Sequence, residues 1–412
     1  FPCTTLFRSF VASFAQSNHA DTTPNLNLDG TGPTQDQLRN TEIIGDRQFD
    51  KALALYQGAA VQLTGAVDFR HQYNDYSKIR VRPEFGAGQP RQTCNAALGY
   101  AFAAGTEDGR GLEDVGEGTV ETNPLLNLIT QVLTPPTEAD IACQAPKPII
   151  LQQSAFKPYP WSPEVLPASI LRIGQFALLA VPGEFTVMSG RRLRETVRGV
   201  LGNDQLLVVA GLSNAYSGYV TTAEEYDKQH YEGGSTHFGR WTLAAYQQVF
   251  HDLAVALRDQ QAVISTLVPR DLRNDQSNFV TGVVYDNPPV GKRFGQVVTD
   301  ANTQYRIGDT VQAVFWTGHP RNNLRTESTF LEVQRKVNGA WQVVARDNDW
   351  STQYHWLRKD GFWGTSQATL RWTIPAGTPA GEYRLVHYGD SKAPMTGRIS
   401  AFSGASRSFI VQ

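Results

Sequence analysis

The densest concentration of chemically capable side chains in this 412-residue sequence lies between Glu184 and Gly239. Two stretches stand out: Asn214-Ala-Tyr-Ser-Gly-Tyr-Val-Thr-Thr-Ala-Glu-Glu-Tyr226 and Gln229-His-Tyr-Glu-Gly-Gly-Ser-Thr-His-Phe-Gly239. Their phenols and carboxylates are groups from which proton donors and oxygen ligands are made, and their glycines let backbone approach a site closely. The run follows neither the helical nor the strand period, and loops of that kind are where sites are commonly built. The same composition suits an aromatic loop that only caps a core, so residue types alone leave both readings open. Elsewhere there is no His-Glu-x-x-His, no Gly-x-Ser-x-Gly, no P-loop and no Cys-x-x-Cys, and the eight histidines are scattered.

Such a run must be positioned by the elements around it. In Ile170-Leu-Arg-Ile-Gly-Gln-Phe-Ala-Leu-Leu-Ala-Val-Pro182 the Gly174-Gln175 break divides two apolar, strand-like runs. A helix is expected from Thr186, with Val187, Leu193, Val197 and Val200 on one face. Leu206-Leu-Val-Val-Ala-Gly211 returns as a buried strand, so the segment reads as strand, helix, strand. From about Phe238 to Arg258, Leu243, Tyr246, Phe250, Leu253 and Leu257 form the stripe of a core-facing helix. Upstream, Leu38, Phe49, Leu53 and Tyr56 among charges suit an amphipathic helix over Gln37 to Gln57.

Cys94 and Cys143 are the two cysteines in the body of the chain, both in polar, loop-like surroundings. They read as one disulfide holding a Gly-, Pro- and Asn-rich excursion from Glu107 to Pro146, and as a sign of an oxidising compartment. Two unpaired thiols are the alternative.

Beyond Ser265, prolines at 269, 288 and 289 punctuate polar sequence and mark a linker. After it only strand signals remain. Val311, Ala313 and Phe315 alternate; Leu331 and Val333 lead into Asn338-Gly339, and Trp341, Val343 and Ala345 lead away, a strong hairpin signal. With Leu370, Trp372, Ile374, Tyr383, Leu385, Phe409 and Val411 this makes about seven short strands, the pattern of an immunoglobulin-like β-sandwich.

A chain of this length exceeds the roughly 250 to 300 residues at which single cores stop growing, so two domains are expected. No apolar run approaches the roughly 20 residues of a transmembrane segment. A formal net charge of -2 with no basic block argues against a nucleic-acid partner. Residues 1–9, Phe1-Pro-Cys-Thr-Thr-Leu-Phe-Arg-Ser9, lack the pattern of a signal peptide. They match the translation of a sequencing adaptor, which makes them non-native, places the natural start near Phe10 and leaves Cys3 without meaning; an ordinary disordered terminus is the alternative.

Val181-Pro-Gly-Glu-Phe-Thr-Val-Met-Ser-Gly190, the Asn214–Tyr226 stretch and Tyr231-Glu-Gly-Gly-Ser-Thr236 resemble the neutral ceramidase family in order and spacing. So do Val61 to Arg91, the start Phe10-Val-Ala-Ser-Phe-Ala-Gln-Ser-Asn18, and Arg346-Asp-Asn-Asp-Trp-Ser-Thr-Gln-Tyr354. The resemblance implies a mixed α/β catalytic domain over residues 10–270, truncated at its N-terminal side, followed by an all-β immunoglobulin-like sandwich over 271–412. It implies zinc-dependent hydrolysis of the N-acyl amide of ceramide to sphingosine and a fatty acid, in a secreted or periplasmic enzyme whose partners are ceramide and the membrane surface presenting it.

By the same resemblance Glu184 and Tyr219 are zinc ligands, Tyr231 is the catalytic donor to the oxyanion, and Asp347, Asp349 and Thr352 bind Ca²⁺ or Mg²⁺ as a structural cation. His230 and His237 are not histidine in the family and count as variation, and His19 to Asn25 departs from its pattern. The family's two zinc histidines and its serine motif lie upstream of this chain, so the fragment is expected to be inactive alone. The alternative is a non-catalytic binding protein whose β-sandwich contacts a sugar or a protein.

Overall fold

The structure, a computed structural model, describes residues 13–113, 115–122, 124–276 and 280–412. The readings placed on Phe1–Ser9, Cys3 and the start at Phe10 fall outside these residues. The chain forms two compact units, Phe14–Asp271 and Leu272–Gln412. Among the described residues no helix is long and apolar enough to cross a membrane.

In the first unit the strands that matter are β1 (Val67–Asp75), β2 (Val165–Ile173), β3 (Phe176–Ala180), β4 (Glu184–Phe185), β5 (Leu206–Ala210) and β6 (Tyr219–Val220). Its main helices are α1 (Gln37–Gln57), α2 (Val187–Leu201), α3 (Ala223–Lys228), α4 (Tyr231–Gly234) and α5 (Thr242–Arg258). One sheet runs in the order β1-β2-β3-β5. Antiparallel pairing joins β1, β2 and β3, whereas β3 and β5 are parallel. A parallel pair needs a crossover, and α2 supplies it. The β2–β3 turn requires Gly174: its φ is +59°, and an added Cβ would lie 2.3 Å from the Thr64 carbonyl oxygen.

Thr186 caps α2 by accepting from Ser189 N, and Leu193 and Val197 are buried beneath it. In α5 the expected stripe of Leu243, Tyr246, Phe250, Leu253 and Leu257 is buried. The helix starts at Thr242 rather than near Phe238, because Gly239 adopts φ +82° just ahead of it. Tyr246 stacks on Tyr76 with ring centroids 4.1 Å apart and meets Phe185 edge-on at 5.1 Å, tying helix to sheet.

Two expectations need correction. α1 forms where expected, with the Asp36 side chain accepting from Leu38 N and Arg39 N. Its apolar residues Leu38, Phe49, Leu53 and Tyr56 are nevertheless exposed. The Glu107–Pro146 excursion is not all loop: it holds helices Pro124–Leu133 and Glu138–Gln144, the second started by a reciprocal Thr137–Asp140 capping box.

Cys94 and Cys143 are joined by a disulfide. Beside it Gln144 Nε2 donates to the carbonyls of Asn95 and His237, and the buried Lys147 Nζ donates to those of Ala97 and Thr236. The cross-linked segment therefore also grips the chain that leaves α4.

The second unit contains β7 (Val297–Thr299), β8 (Gln304–Tyr305), β9 (Thr310–Thr317), β10 (Leu331–Val337), β11 (Ala340–Arg346), β12 (Thr352–Asp360), β13 (Thr365–Thr373), β14 (Gly381–Lys392), β15 (Ile399–Ala405) and β16 (Phe409–Val411). One sheet runs β7-β9-β13-β12; the other runs β8-β16-β14-β10-β11, with β15 also on β14. Val311, Ala313, Phe315, Leu370 and Trp372 from the first sheet share a core with Leu331, Val333, Tyr383, Leu385, Phe409 and Val411 from the second. Asn338 and Gly339 both take positive φ, +51° and +81°, as a two-residue type I′ hairpin demands. Four of the described strands, the short β7 and β8 and the longer β12 and β15, were not read from the alternation, so the expected count of about seven fell short.

Candidate active site

The site is built where β3 and β5 end. In open α/β sheets the carboxyl ends of parallel strands form a natural crevice, because the chains leaving them splay apart. Here the two chains leave and then pair again. Glu184 N donates to Gly218 O and Ser217 N to Pro182 O, bringing β4 and β6 together in parallel with Glu184 opposite Tyr219 and Phe185 opposite Val220. The close approach depends on small residues: a Cβ on Gly183 would lie 2.8 Å from Gly218 O, and one on Gly218, whose φ is +74°, would lie 2.6 Å from His237 Nε2. The strand period then sorts the side chains. Phe185 and Val220 enter the core, while Glu184 and Tyr219 are half-buried on the opposite side.

Around the Glu184 carboxylate the chain gathers three phenols and an imidazole. Tyr216 Oη donates to Glu184 Oε1 at 2.6 Å, and His19 Nε2 lies 3.5 Å from Oε2. Tyr219 stands opposite Glu184 as its partner in the strand register. The Tyr231 ring, at the start of α4, meets Tyr219 edge-on with centroids 5.4 Å apart and stacks on Phe102 on another side.

Burial first, then the negative Glu184, push the Tyr219 phenol well above its usual range. Tyr216 is raised in the same direction by burial and by its bond to Glu184. Tyr231 is raised too, by burial, then Glu184 and Glu232, against an opposing bond from Tyr219. All three phenols therefore keep their protons near neutral pH and act as donors. A cation beside Glu184 would work in the opposite sense on Tyr219.

The structure thus brings Glu184, Tyr219 and Tyr231 into one cluster. It adds Tyr216 and His19, which sequence reasoning missed as site residues. Tyr216 had the signal of lying in the same dense run; His19 had only its place at the start of the segment that departs from the family pattern, and it reaches the site through the fold.

His237 is not available as a ligand. It is buried, its Nδ1 lies 2.9 Å from Ser162 Oγ, and burial with the nearby Lys147 charge pushes its pKa down to about 3. His230 is exposed, and one donor atom each from Glu107, Glu117 and His230 lies within 4.8 Å of the others, a donor set that could hold a metal ion. Glu107 and Glu117 sit in the excursion, where no periodicity points to them.

In the second unit Asp347, Asp349 and Thr352 surround the β11–β12 turn. Asp347 Oδ2 accepts from Phe330 N at 2.7 Å, and Asp349 Oδ1 accepts from Ser351 N at 2.9 Å and Ser351 Oγ at 2.6 Å. Thr352 Oγ1 donates to the Arg346 carbonyl at 2.6 Å. These bonds use one oxygen of each carboxylate and turn the Thr352 hydroxyl toward the backbone.

The sequence matches two family models, described as the N-terminal and C-terminal parts of neutral/alkaline non-lysosomal ceramidase, over residues 4–248 and 250–411. It is 48% identical over 411 residues to the neutral ceramidase of Pseudomonas aeruginosa, covering 98% of this chain and 60% of that protein. It is 42% identical to the neutral ceramidase of Oryza sativa subsp. japonica, covering 98% of this chain and 56% of that one. A solved structure described as ceramidase complexed with C2 superposes with a TM-score of 0.86 at 46% identity, covering 98% of this chain and 63% of that one. The chain therefore spans about 60% of the length of these relatives. On the two matched models and these identities, the chain belongs to the neutral/alkaline non-lysosomal ceramidase family.

Proposed function

We propose that this chain is part of a neutral ceramidase that hydrolyses the N-acyl amide of ceramide to sphingosine and a free fatty acid, and that the chain is inactive alone. The observation that carries the proposal is the convergence of Glu184, Tyr219 and Tyr231 at the carboxyl ends of the parallel strands. The resemblance to ceramidases supports the substrate class.

Zinc fits the donors present. A carboxylate and a phenol stand opposite each other in register, with the His19 imidazole 3.5 Å from the carboxylate. Glu184 and Tyr219 would hold the ion, which when bound supplies Lewis acidity that polarises an amide carbonyl and acidifies water. The chain's own contribution lies in protons and position. Tyr231, kept protonated by burial, offers its hydroxyl to the negative charge that develops on the amide oxygen. Tyr216 holds one oxygen of Glu184 and so fixes how the carboxylate faces the site. Phe102, stacked on Tyr231, limits the freedom of that ring.

The remaining parts of the reading follow the same family. Asp347, Asp349 and Thr352 would take Ca²⁺ or Mg²⁺ through the carboxylate oxygens not used in the turn, as a structural cation. The second unit is read as an immunoglobulin-like sandwich. The Cys94–Cys143 disulfide supports a secreted or periplasmic location, where such bonds persist. The membrane that carries ceramide would be the partner surface.

Glu184→Gln tests the site. In the whole enzyme, zinc content measured by elemental analysis and fatty-acid release from ceramide should both fall in the variant. Undiminished zinc content would count against Glu184 as a ligand, and a protein without zinc in either form would favour a non-catalytic binding protein.

A further inference from the structure

Scattered apolar side chains on a protein surface are ordinary, but their concentration at one place is not. In the second unit seven described large apolar side chains are at least 60% exposed. Trp350 lies in the β11–β12 turn. The other six, Val284, Val290, Leu324, Phe362, Trp363 and Met395, lie on four loops: 284–292, 318–325, 361–364 and 393–398.

Those loops are tied into one platform by Asp286, whose side chain is fully buried. Its carboxylate accepts from His319 N at 3.1 Å, Asn322 Nδ2 at 2.7 Å and Lys392 N at 3.1 Å, and pairs with Arg358 at 3.4 Å. Asn287 N donates to Gly364 O at 3.2 Å, and Arg325 Nη2 pairs with Asp390 at 2.7 Å. The aromatic tip is itself held. Trp363 N donates to Asp360 Oδ1 at 2.9 Å, and the Tyr285 hydroxyl donates to Phe362 O. Phe362 and Trp363 are therefore presented on a fixed hairpin end, 77% and 62% exposed, so little ordering cost remains for whatever they bind.

The charge around them is of one prevailing sign. Lys292, Arg293, Arg321, Lys359 and Arg398 are exposed on or beside these loops, against two exposed carboxylates, Asp360 and Glu327. Asp286 and Asp390 are buried in ion pairs and offer no counter-charge at the surface. Exposed Trp and Phe ringed by lysine and arginine match the chemistry of an anionic bilayer. Aromatic rings settle at headgroup depth, and each cation gains from the negative surface potential.

We propose that this four-loop platform of the second unit docks onto an anionic lipid bilayer, with Phe362 and Trp363 inserted among the headgroups. Such a contact deepens the lipid-substrate reading above and rests on it for its purpose. Docking itself is measured without hydrolysis, so either idea can fail while the other stands.

The test is co-sedimentation of the protein with phosphatidylcholine vesicles that contain or lack phosphatidylserine. Binding to the phosphatidylserine vesicles is expected. It should weaken at least tenfold in the double variant Phe362→Ser/Trp363→Ser, and comparably on pure phosphatidylcholine or at about 0.5 M salt, where the Debye length falls to a few ångströms. Both side chains are exposed, so the thermal midpoint of the double variant should match that of the parent; if it does not, Val290→Ser/Met395→Ser gives the same reading. No binding by the parent, equal binding by well-folded variants, or equal binding to both vesicle types would overturn the proposal.

Discussion

Glu184 and Tyr219 face each other as register partners in a parallel ladder, although 35 residues and a whole crossover helix separate them. Their proximity is a property of the backbone rather than of side-chain reach. The same strands, β3 and β5, that fix the core also fix the distance between the two groups. Disturbing the crossover should therefore affect site and stability together, whereas changing a side chain outside the core should affect the site alone.

Tyr216 provides the second kind of change. Its hydroxyl donates to Glu184 Oε1 at 2.6 Å, yet the residue is exposed and contributes little to the core. Groups that orient a ligand typically matter 10- to 100-fold in metal affinity. Tyr216→Phe is expected to weaken zinc binding by about that factor while leaving the thermal midpoint unchanged, as read by competition with a chromophoric chelator. Identical affinities would show that Glu184 needs no such support.

The Cys94–Cys143 disulfide spans a sequence separation of 49. Closing a loop of that size is worth about 4 kcal/mol in the chain-entropy model. Urea unfolding of Cys94→Ser/Cys143→Ser should show a loss of that order. Since Gln144 and Lys147 hold the carbonyls of His237 and Thr236, the loss should be accompanied by weakened order around Tyr231, visible as faster amide exchange in residues 231–238. A variant as stable as the parent would contradict this account.

In the second unit His387 is buried, with Nε2 2.9 Å from Thr317 Oγ1 and Nδ1 3.0 Å from Phe330 O. Burial pulls its pKa down to about 4, aided by Arg325 and opposed by the Phe330 carbonyl. The folded pKa lies below the unfolded one, so as pH falls the unfolded chain takes up the proton first. Stability from this group is therefore present above about pH 6.5 and is lost on acidification towards pH 4. The loss is on the order of 3 kcal/mol. Denaturation midpoints at about pH 7 and pH 4.5 should differ less for His387→Gln than for the parent. An unchanged difference would mean that the imidazole is charged in the fold.

Much of the framework was legible because it rests on period and punctuation. The strand–helix–strand segment announced itself through Gly174, Thr186 and the apolar run at Leu206, and the hairpin through Asn338-Gly339. What escaped depended on the tertiary fold. The apolar residues of α1 repeat at helical spacing, but spacing cannot say whether a neighbour covers them. His19 lies 3.5 Å from Glu184 through a contact between residues 165 positions apart, which leaves no local trace. Asp286 reads as an ordinary loop carboxylate until its four partners, drawn from three other segments, are seen around it. The roles of Glu184, Tyr219 and Tyr231 came from resemblance; the geometry adds that the three stand together.

The central claim is that Tyr231 acts on the reacting amide and not on the metal or the fold. Tyr231→Phe removes one hydroxyl and keeps the ring stacked on Phe102 and edge-on to Tyr219. In the whole enzyme, with ceramide as substrate, kcat is predicted to fall 10²- to 10³-fold, the usual consequence of losing one oxyanion donor, while KM, zinc content and thermal midpoint stay near those of the parent. An unchanged kcat, or a fall that tracks lost zinc, would contradict the account.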